Sequence, residues 1–295
     1  VQTAELAILS DYSEHKKSNF YYSFFSLPKF KREAIETIYT FCRLTDDIVD
    51  EVENLDRKQA LLLLVMDELK KSLIGESNYG LLNKLASVIK HFNIPLEYFY
   101  ELLRGMEMDL TKNRYNTFAE LEQYCYRVAS TVGLICAEIF GYKNENTKQY
   151  AFNLGIALQL TNILRDIKED AKRGRIYLPL EDLRKFNYTE EDLLNCKYDS
   201  NFIELMKYEC KRVHDYFRRA RKHLAEEDKP LFTAARTMGN IYYLLLLRIE
   251  RANYNVFSRK IKLSSPLKIF IAVMLNLRKS LPKNLHRYIH FELPA

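Results

Sequence analysis

The chain has 295 residues, a net charge of +6 from 45 Lys and Arg against 39 Asp and Glu, and only 8 Gly and 7 Pro. So few turn formers exclude a sandwich or barrel, which needs a turn signal every ~8–12 residues. With 47% hydrophobic and 13% aromatic residues, the chain can bury a large core, and the composition predicts an all-α, single-domain body over residues 1–295.

Helix signals recur in chain order. Pro28 suits a first helical turn and opens a helix predicted over 28–52. The apolar stretch 60–73 ends near Gly75 with Lys70 and Lys71 in its last turn, where the helix dipole favours cations. A third helix is expected over 95–111. Thr117 and Glu120 form a T-x-x-E capping box for a helix reaching Gly141, and a long run extends over 147–174. Further helices are expected over 201–227, 230–257 and 266–281, with loops at 112–116, 173–179 and 197–200. Neither a Gly/Ser/Pro-rich linker nor a short-period repeat divides the chain. Its best apolar runs, 61–66, 244–247 and 269–275, fall far short of the ~20 residues needed to span a bilayer.

Several chemistries drop out. No G-x-G-x-x-G exists, and Gly75 and Gly80 have P-loop spacing but are followed by Leu81 rather than Lys, which removes dinucleotide and P-loop folds. His286 and His290 form an H-x-x-x-H pair, but Arg287 stands where a zincin carries its Glu base. No His has Glu three residues before it, as a helical di-iron site requires. Five cysteines without a C-x-x-C pair, and no secretory pattern before Asp11, lead to an expectation of reduced thiols and a cytoplasmic location.

The informative segments are two acidic helices. At ~100° per residue, Tyr39, Arg43, Asp46 and Asp50 share one stripe, flanked by apolar Leu44, Ile48 and Val49. Like charges at i, i+4 destabilise a helix, so aligned aspartates beside core residues suggest a cation between them. A second stripe carries Gly155, Gln159, Asn162, Asp166 and Asp170 in a largely apolar helix. Oxygen ligands of this kind suit Mg²⁺, with Mn²⁺ as an alternative, held jointly with substrate phosphates. Two such faces opposed across a helical cavity would hold a metal–diphosphate cluster.

The same residues carry a resemblance. Ser18-Asn19-Phe20-Tyr21-Tyr22, Leu27-Pro28 and Ile38-Tyr39-x-x-Cys42-Arg43-x-x-Asp46-Asp47-x-x-Asp50 resemble the start of the squalene/phytoene synthase family. Leu158-Gln159-Leu160-Thr161-Asn162-Ile163-Leu164-Arg165-Asp166-x-x-x-Asp170, followed by Arg173-Gly174-Arg175-Ile176-Tyr177-Leu178-Pro179, is similar to its second signature. Tyr124-Cys125-Tyr126-x-Val128-Ala129-x-x-Val132-Gly133 and Ala252-Asn253-Tyr254 match in order. The pattern lies nearest the bacterial presqualene-diphosphate and squalene-forming branch, although phytoene synthases share nearly all of it. Ser130 departs from the family, where Gly is frequent.

The resemblance implies an isoprenoid-synthase helical bundle, with a central cavity between the two aspartate-bearing helices. It implies head-to-head condensation of two allylic prenyl diphosphates. Asp46, Asp50, Asp166 and Asp170 then correspond to Mg²⁺-binding aspartates with Asn162 beside them. Arg43, Gln159 and Arg165 correspond to diphosphate or cluster contacts, and Tyr39, Tyr124 and Tyr254 to tyrosines around the reacting carbons. Phe20 corresponds to a flap over substrate. Tyr124 is either a proton relay to the leaving group or a structural hydrogen bond. The leading expectation is presqualene diphosphate, with or without onward conversion to squalene, from two farnesyl diphosphates. Phytoene synthase, using geranylgeranyl diphosphate, and dehydrosqualene synthase are alternatives within the fold. A helical scaffold or nucleic-acid-binding module with solvated acidic stripes is the alternative outside it, and the paired oxygen-ligand faces argue against nucleic acid. NADPH would have to bind without a glycine-rich turn. The segment 266–281, with Lys268, Arg278 and Lys279 beside Ile269, Phe270 and Val273, is either a peripheral contact with the inner face of the membrane or an ordinary terminal core helix. Oligomeric state is not readable.

Overall fold

A computed structural model describes Phe24 and residues 27–280, with side chains to residue 277. Helix α1, Lys29–Glu51, follows Pro28 as expected. Its buried Ile35, Ile38, Phe41, Leu44, Thr45, Ile48 and Val49 recur at helical spacing, which leaves the acidic stripe on a neighbouring face. Helix α2, Leu55–Ile74, begins earlier than the apolar pattern suggests, because the Asn54 side chain accepts a hydrogen bond from the Arg57 amide at 2.9 Å. It stops at Gly75, whose φ of 81° and amide bonds to the Lys71 and Ser72 carbonyls form a left-handed cap.

Helix α3, Gly80–Phe92, has no counterpart in the sequence reading. Its N-cap, Tyr79, makes no side-chain cap bond and its first turn holds no acidic residue, so the usual start signals are missing. Burial of Leu82, Leu85, Ala86 and Ile89 stabilises it, and it packs on α1 and α2. Helix α4 is Leu96–Thr111.

The helix expected from Thr117 to Gly141 is interrupted. Helix α5, Phe118–Cys125, leads into a π-helical turn, Tyr126–Ser130, and then α6, Thr131–Phe140. Thr117 caps the Glu120 amide at 3.3 Å, but the Glu120 carboxylate accepts from the Asn116 amide and the Lys112 ammonium instead of closing a reciprocal box. The π-turn packs on α7, Thr147–Lys172. A Cβ on Gly155 would stand 2.5 Å from the Ser130 Cα, and one on Gly133 would stand 2.8 Å from the Ala151 carbonyl. Ser130 is fully buried and donates to the Phe152 carbonyl at 2.7 Å. The hydroxyl of Ser130 is thus satisfied.

Gly155→Ala should therefore destabilise the fold by about 1–3 kcal/mol, the usual cost of overpacking, because backbone atoms cannot swing aside. Gly80→Ala, with nothing within 4 Å of the new methyl, should leave stability unchanged or slightly raised. Chemical denaturation checks both, and equal midpoints for the two variants would refute the close-approach argument.

The remaining helices are α8 (Leu180–Lys185), α9 (Glu190–Leu194), α10 (Ser200–His223), α11 (Thr233–Arg251) and α12 (Ser265–Ser280). A complete capping box, Thr189 with Asp192, opens the short α9. Helix α11 is shorter than the expected 230–257. Turns precede it, held by the buried Asp228 carboxylate, which accepts from the Lys143 and Asn144 amides and the Thr147 hydroxyl at 2.8, 3.1 and 2.7 Å. Left-handed backbone at Asn253 and Tyr254, with φ of 50° and 64°, follows its end.

Helix α7 lies at the centre, against α5, α6, the π-turn, α10 and α11, while α1 packs on α2, α3, α4 and α6. The described residues contain no strand, only an isolated parallel bridge between Arg114 and Ile176. That bridge holds the two loops 112–116 and 173–179 together, with amide bonds from Ile176 to the Asn113 carbonyl and from Leu180 to the Tyr115 carbonyl.

Candidate active site

A cavity of about 660 Å³ separates α1 from α7. Its apolar part includes Ile35, Ile38, Leu102, Met106, Val128 and Leu154. Phe232, also on its wall, makes edge contacts with Phe140 and Tyr150, ring centroids 5.4 and 5.7 Å apart. Tyr39, Arg43, Asp46 and Asp50 from α1, Tyr124 from α5, and Gln159, Asn162, Arg165, Asp166 and Asp170 from α7 all line it. The two acidic stripes thus share one chamber. Phe20 lies outside the described residues.

Tyr254 does not line this cavity. Helix α11 ends three residues before it, and the left-handed turn leaves its phenol raised by burial and by Cys210, Glu250 and Glu204. On α11 the tyrosine that lines the cavity is Tyr242, further back along the helix. A motif match in order of sequence therefore did not place a side chain in the chamber, because the helix end turned it away.

Five aspartates and four arginines share the cavity lining. Asp46 is open to the cavity's interior, but the enclosing protein raises its pKa to about 7, offset in part by Arg43 and reinforced by Asp50, Asp109 and Asp47. Asp170 is likewise raised to about 7, first by burial and then by Asp166, against the pull of Arg175 and Arg173. Arg43 shares the stripe with Asp46 and Asp50, but its ion pair is with Asp47, at 2.9 Å. Arg165 binds Asp166 through Nε at 2.9 Å. Arg173 and Arg175 reach from the 173–179 loop to Asp50, at 3.0 and 3.5 Å, and so tie the α7 end of the chamber to α1.

Sequence reasoning missed Asp109, on α4. Its two carboxylate oxygens accept the Tyr124 and Tyr177 hydroxyls, each at 2.9 Å. Burial raises its pKa, while the two phenols and Arg175 oppose the rise. Tyr115 packs on both tyrosines at 5.5 and 5.8 Å, and its own buried hydroxyl has no partner among the described residues. The available signal was an acid flanked by apolar Met106, Met108 and Leu110 near the end of a helix.

The donor set fits a hard divalent cation. The buried Asn162 Oδ1 has no hydrogen-bond partner among the described residues, although its amide nitrogen reaches Gln159 Oε1 at 3.4 Å. An orphaned carbonyl oxygen costs about 1–3 kcal/mol unless something binds it, and the neighbouring carboxylates repel one another. Among the described residues no three acidic, His or Cys side chains converge as a ready-made cage. An ion that takes only one or two carboxylates, with phosphate oxygens and water completing its shell, needs no such cage.

The helical bundle and its two opposed acidic helices define the isoprenoid-synthase class of fold. A family model described as squalene/phytoene synthase matches residues 13–266. The chain belongs to the squalene/phytoene synthase family, whose members are prenyltransferases. Among its relatives, 15-cis-phytoene synthase of Synechocystis sp. is 37% identical over 85% of this chain and 78% of its own length. Phytoene synthase of Arthrospira platensis is 38% identical over 79% of this chain and 80% of its own length. Among solved structures, a dehydrosqualene synthase in complex with ligand superposes with a TM-score of 0.78 at 29% identity, covering 89% of this chain and 92% of that one. Squalene synthase HpnC from Alicyclobacillus acidocaldarius gives 0.75 at 26% identity, covering 85% and 94%.

Proposed function

We propose that this chain joins two allylic prenyl diphosphates head to head, with Asp46 and Asp50 on α1 and Asn162, Asp166 and Asp170 on α7 holding Mg²⁺ together with substrate. The meeting of the two acidic stripes in one cavity with a large apolar lining carries this reading. When bound, Mg²⁺ supplies Lewis-acid charge to the departing diphosphate. Arg43, Arg165, Arg173 and Arg175 add fixed positive charge at the same end, where it acts on charge as it develops. The walls exclude water from the allylic cation, and aromatic faces such as Tyr39, Phe140 and Phe232 stabilise it through their ring quadrupoles. Tyr124, whose hydroxyl donates to Asp109, is assigned the proton relay to the leaving group in this reading.

Two substrates fit the reading about equally well. Two farnesyl diphosphates, giving presqualene diphosphate with or without onward conversion, accord with the superposition on a dehydrosqualene synthase and a squalene synthase. Two geranylgeranyl diphosphates, giving phytoene, accord with the phytoene synthases at 37 and 38% identity. Incubation with Mg²⁺ and labelled C15 or C20 diphosphate, with and without NADPH, separates the cases. The C20 reading expects a C40 hydrocarbon independent of NADPH. Presqualene diphosphate from the C15 substrate would establish the other reading, and squalene on adding NADPH would make the chain bifunctional. No coupled product from either substrate would refute head-to-head condensation.

A further inference from the structure

One long stretch of the chain carries charge of a single sign, and the cavity does not explain it. Residues 251–280 contain seven Lys and Arg and no Asp or Glu, against +6 for the whole chain, so the rest of the molecule is close to neutral. Arg251, Arg259, Lys260 and Lys262 are exposed. The loop that carries the last three is anchored on α11, where Arg248 donates to the Lys262 carbonyl.

Helix α12, which follows this loop, is apolar on two sides. Ile271, Ala272 and Leu275 are buried, and the helix packs on α11. Ile269, Val273 and Leu277, at i, i+4 and i+8, form a ridge on another face and remain 47, 39 and 53% exposed, with Phe270 beside them at 49%. An apolar ridge on a helix that directly follows an exposed basic loop is the pattern of a segment that lies in a lipid–water interface. The same loop also reaches the polar end of the cavity. Lys260 Nζ stands 3.9 Å from Asp166, and Lys168 of α7 donates to the Phe257 carbonyl.

We infer that the exposed face of α12, with the basic loop beside it, docks on the surface of an anionic lipid bilayer. Ile269, Val273 and Leu277 enter the acyl boundary while Arg259, Lys262 and their neighbours meet headgroup phosphates. Charge decides the occupant, since a second copy would bring a face of the same sign against this one and be repelled. No helix among the described residues is long and apolar enough to cross a membrane, so the contact is a peripheral one. The inference goes beyond the proposed reaction and is the same for a C15 or a C20 substrate.

The test is co-sedimentation of the full chain with vesicles of phosphatidylcholine, with or without phosphatidylglycerol. It is run on the wild type, on an Ile269→Ser/Val273→Ser/Leu277→Ser variant and on an Arg259→Gln/Lys262→Gln variant. The wild type should pellet with the anionic vesicles and bind roughly tenfold less to phosphatidylcholine alone or at high salt. Each variant should lose roughly tenfold in binding to the anionic vesicles, with the circular dichroism and the turnover of detergent-dispersed substrate retained. Wild type left in the supernatant with anionic vesicles, or variants that bind as wild type does, would overturn the inference. A serine variant that converts an oligomer to a monomer in size-exclusion chromatography would overturn it too, and would assign the face to a second copy.

Discussion

Asp46→Asn and Asp166→Asn should each lower turnover by roughly 10²–10³-fold or more, the usual effect of removing one preorganised electrostatic group, while the helical circular dichroism stays intact. Asn matches Asp in shape, so the change removes charge and little else. Because protein enclosure and neighbouring acids hold the Asp46 carboxyl up near 7, neutralising it removes repulsion in the cation-free protein. The unfolding midpoint of Asp46→Asn should accordingly hold or rise as activity collapses. Residues that act as one unit are not additive, so the double variant should be scarcely worse than either single one, and a chelator should have the same effect on the wild type.

The pH dependence follows from the same charges. A carboxyl whose pKa is raised is protonated below it, and only the ionised form serves as a ligand. Activity should fall on the acid side as Asp46 and Asp170, both near 7 without a cation, take up protons. More Mg²⁺ should move that limb to lower pH. Undiminished rates in either Asn variant would remove the assignment, and strictly additive losses would mean that the two faces work separately.

Asp109 should matter almost as much, although no acidic motif contains it. Asp109→Asn and Tyr124→Phe should each lower kcat by roughly 10²-fold, at the lower end of what a positioned proton-transfer group contributes. Their combination should be little worse than either alone, since the carboxylate acts on the phenol it binds at 2.9 Å. Asp109→Leu should add a stability loss of about 2–6 kcal/mol, because it strands two buried phenol hydroxyls at about 1–3 kcal/mol each. Tyr177→Phe should relieve part of that loss in the Leu background. Measured kcat, KM and denaturation midpoints decide the matter. If Asp109→Asn and Tyr124→Phe multiply fully, the Tyr124–Asp109 pair is not a unit.

How these residues came to light separates local from tertiary information. Helical spacing is a local property, and it placed Tyr39, Arg43, Asp46 and Asp50 on one stripe and Gln159, Asn162, Asp166 and Asp170 on another before any neighbour was known. Scarce Gly and Pro determined the all-helical class, and Pro28, Gly75 and Thr117 marked helix ends, because caps act within a few residues of the chain. Packing decided what local signals do not encode. Helix α3 lacks start signals and exists because its apolar face meets α1 and α2. The π-turn accompanies the close passage of Gly155 over Ser130. Asp109 meets Tyr177 and Tyr124, and Arg173 and Arg175 reach Asp50, where the loop 112–116 pairs with 173–179. Tyr254 matched the family pattern yet lies off the chamber, with Tyr242 on its wall, because the end of α11 turns left-handed. A helix's own periodicity determines which side chains share a face, but which faces meet depends on contacts between residues far apart in the chain, and those exist only once the bundle has closed.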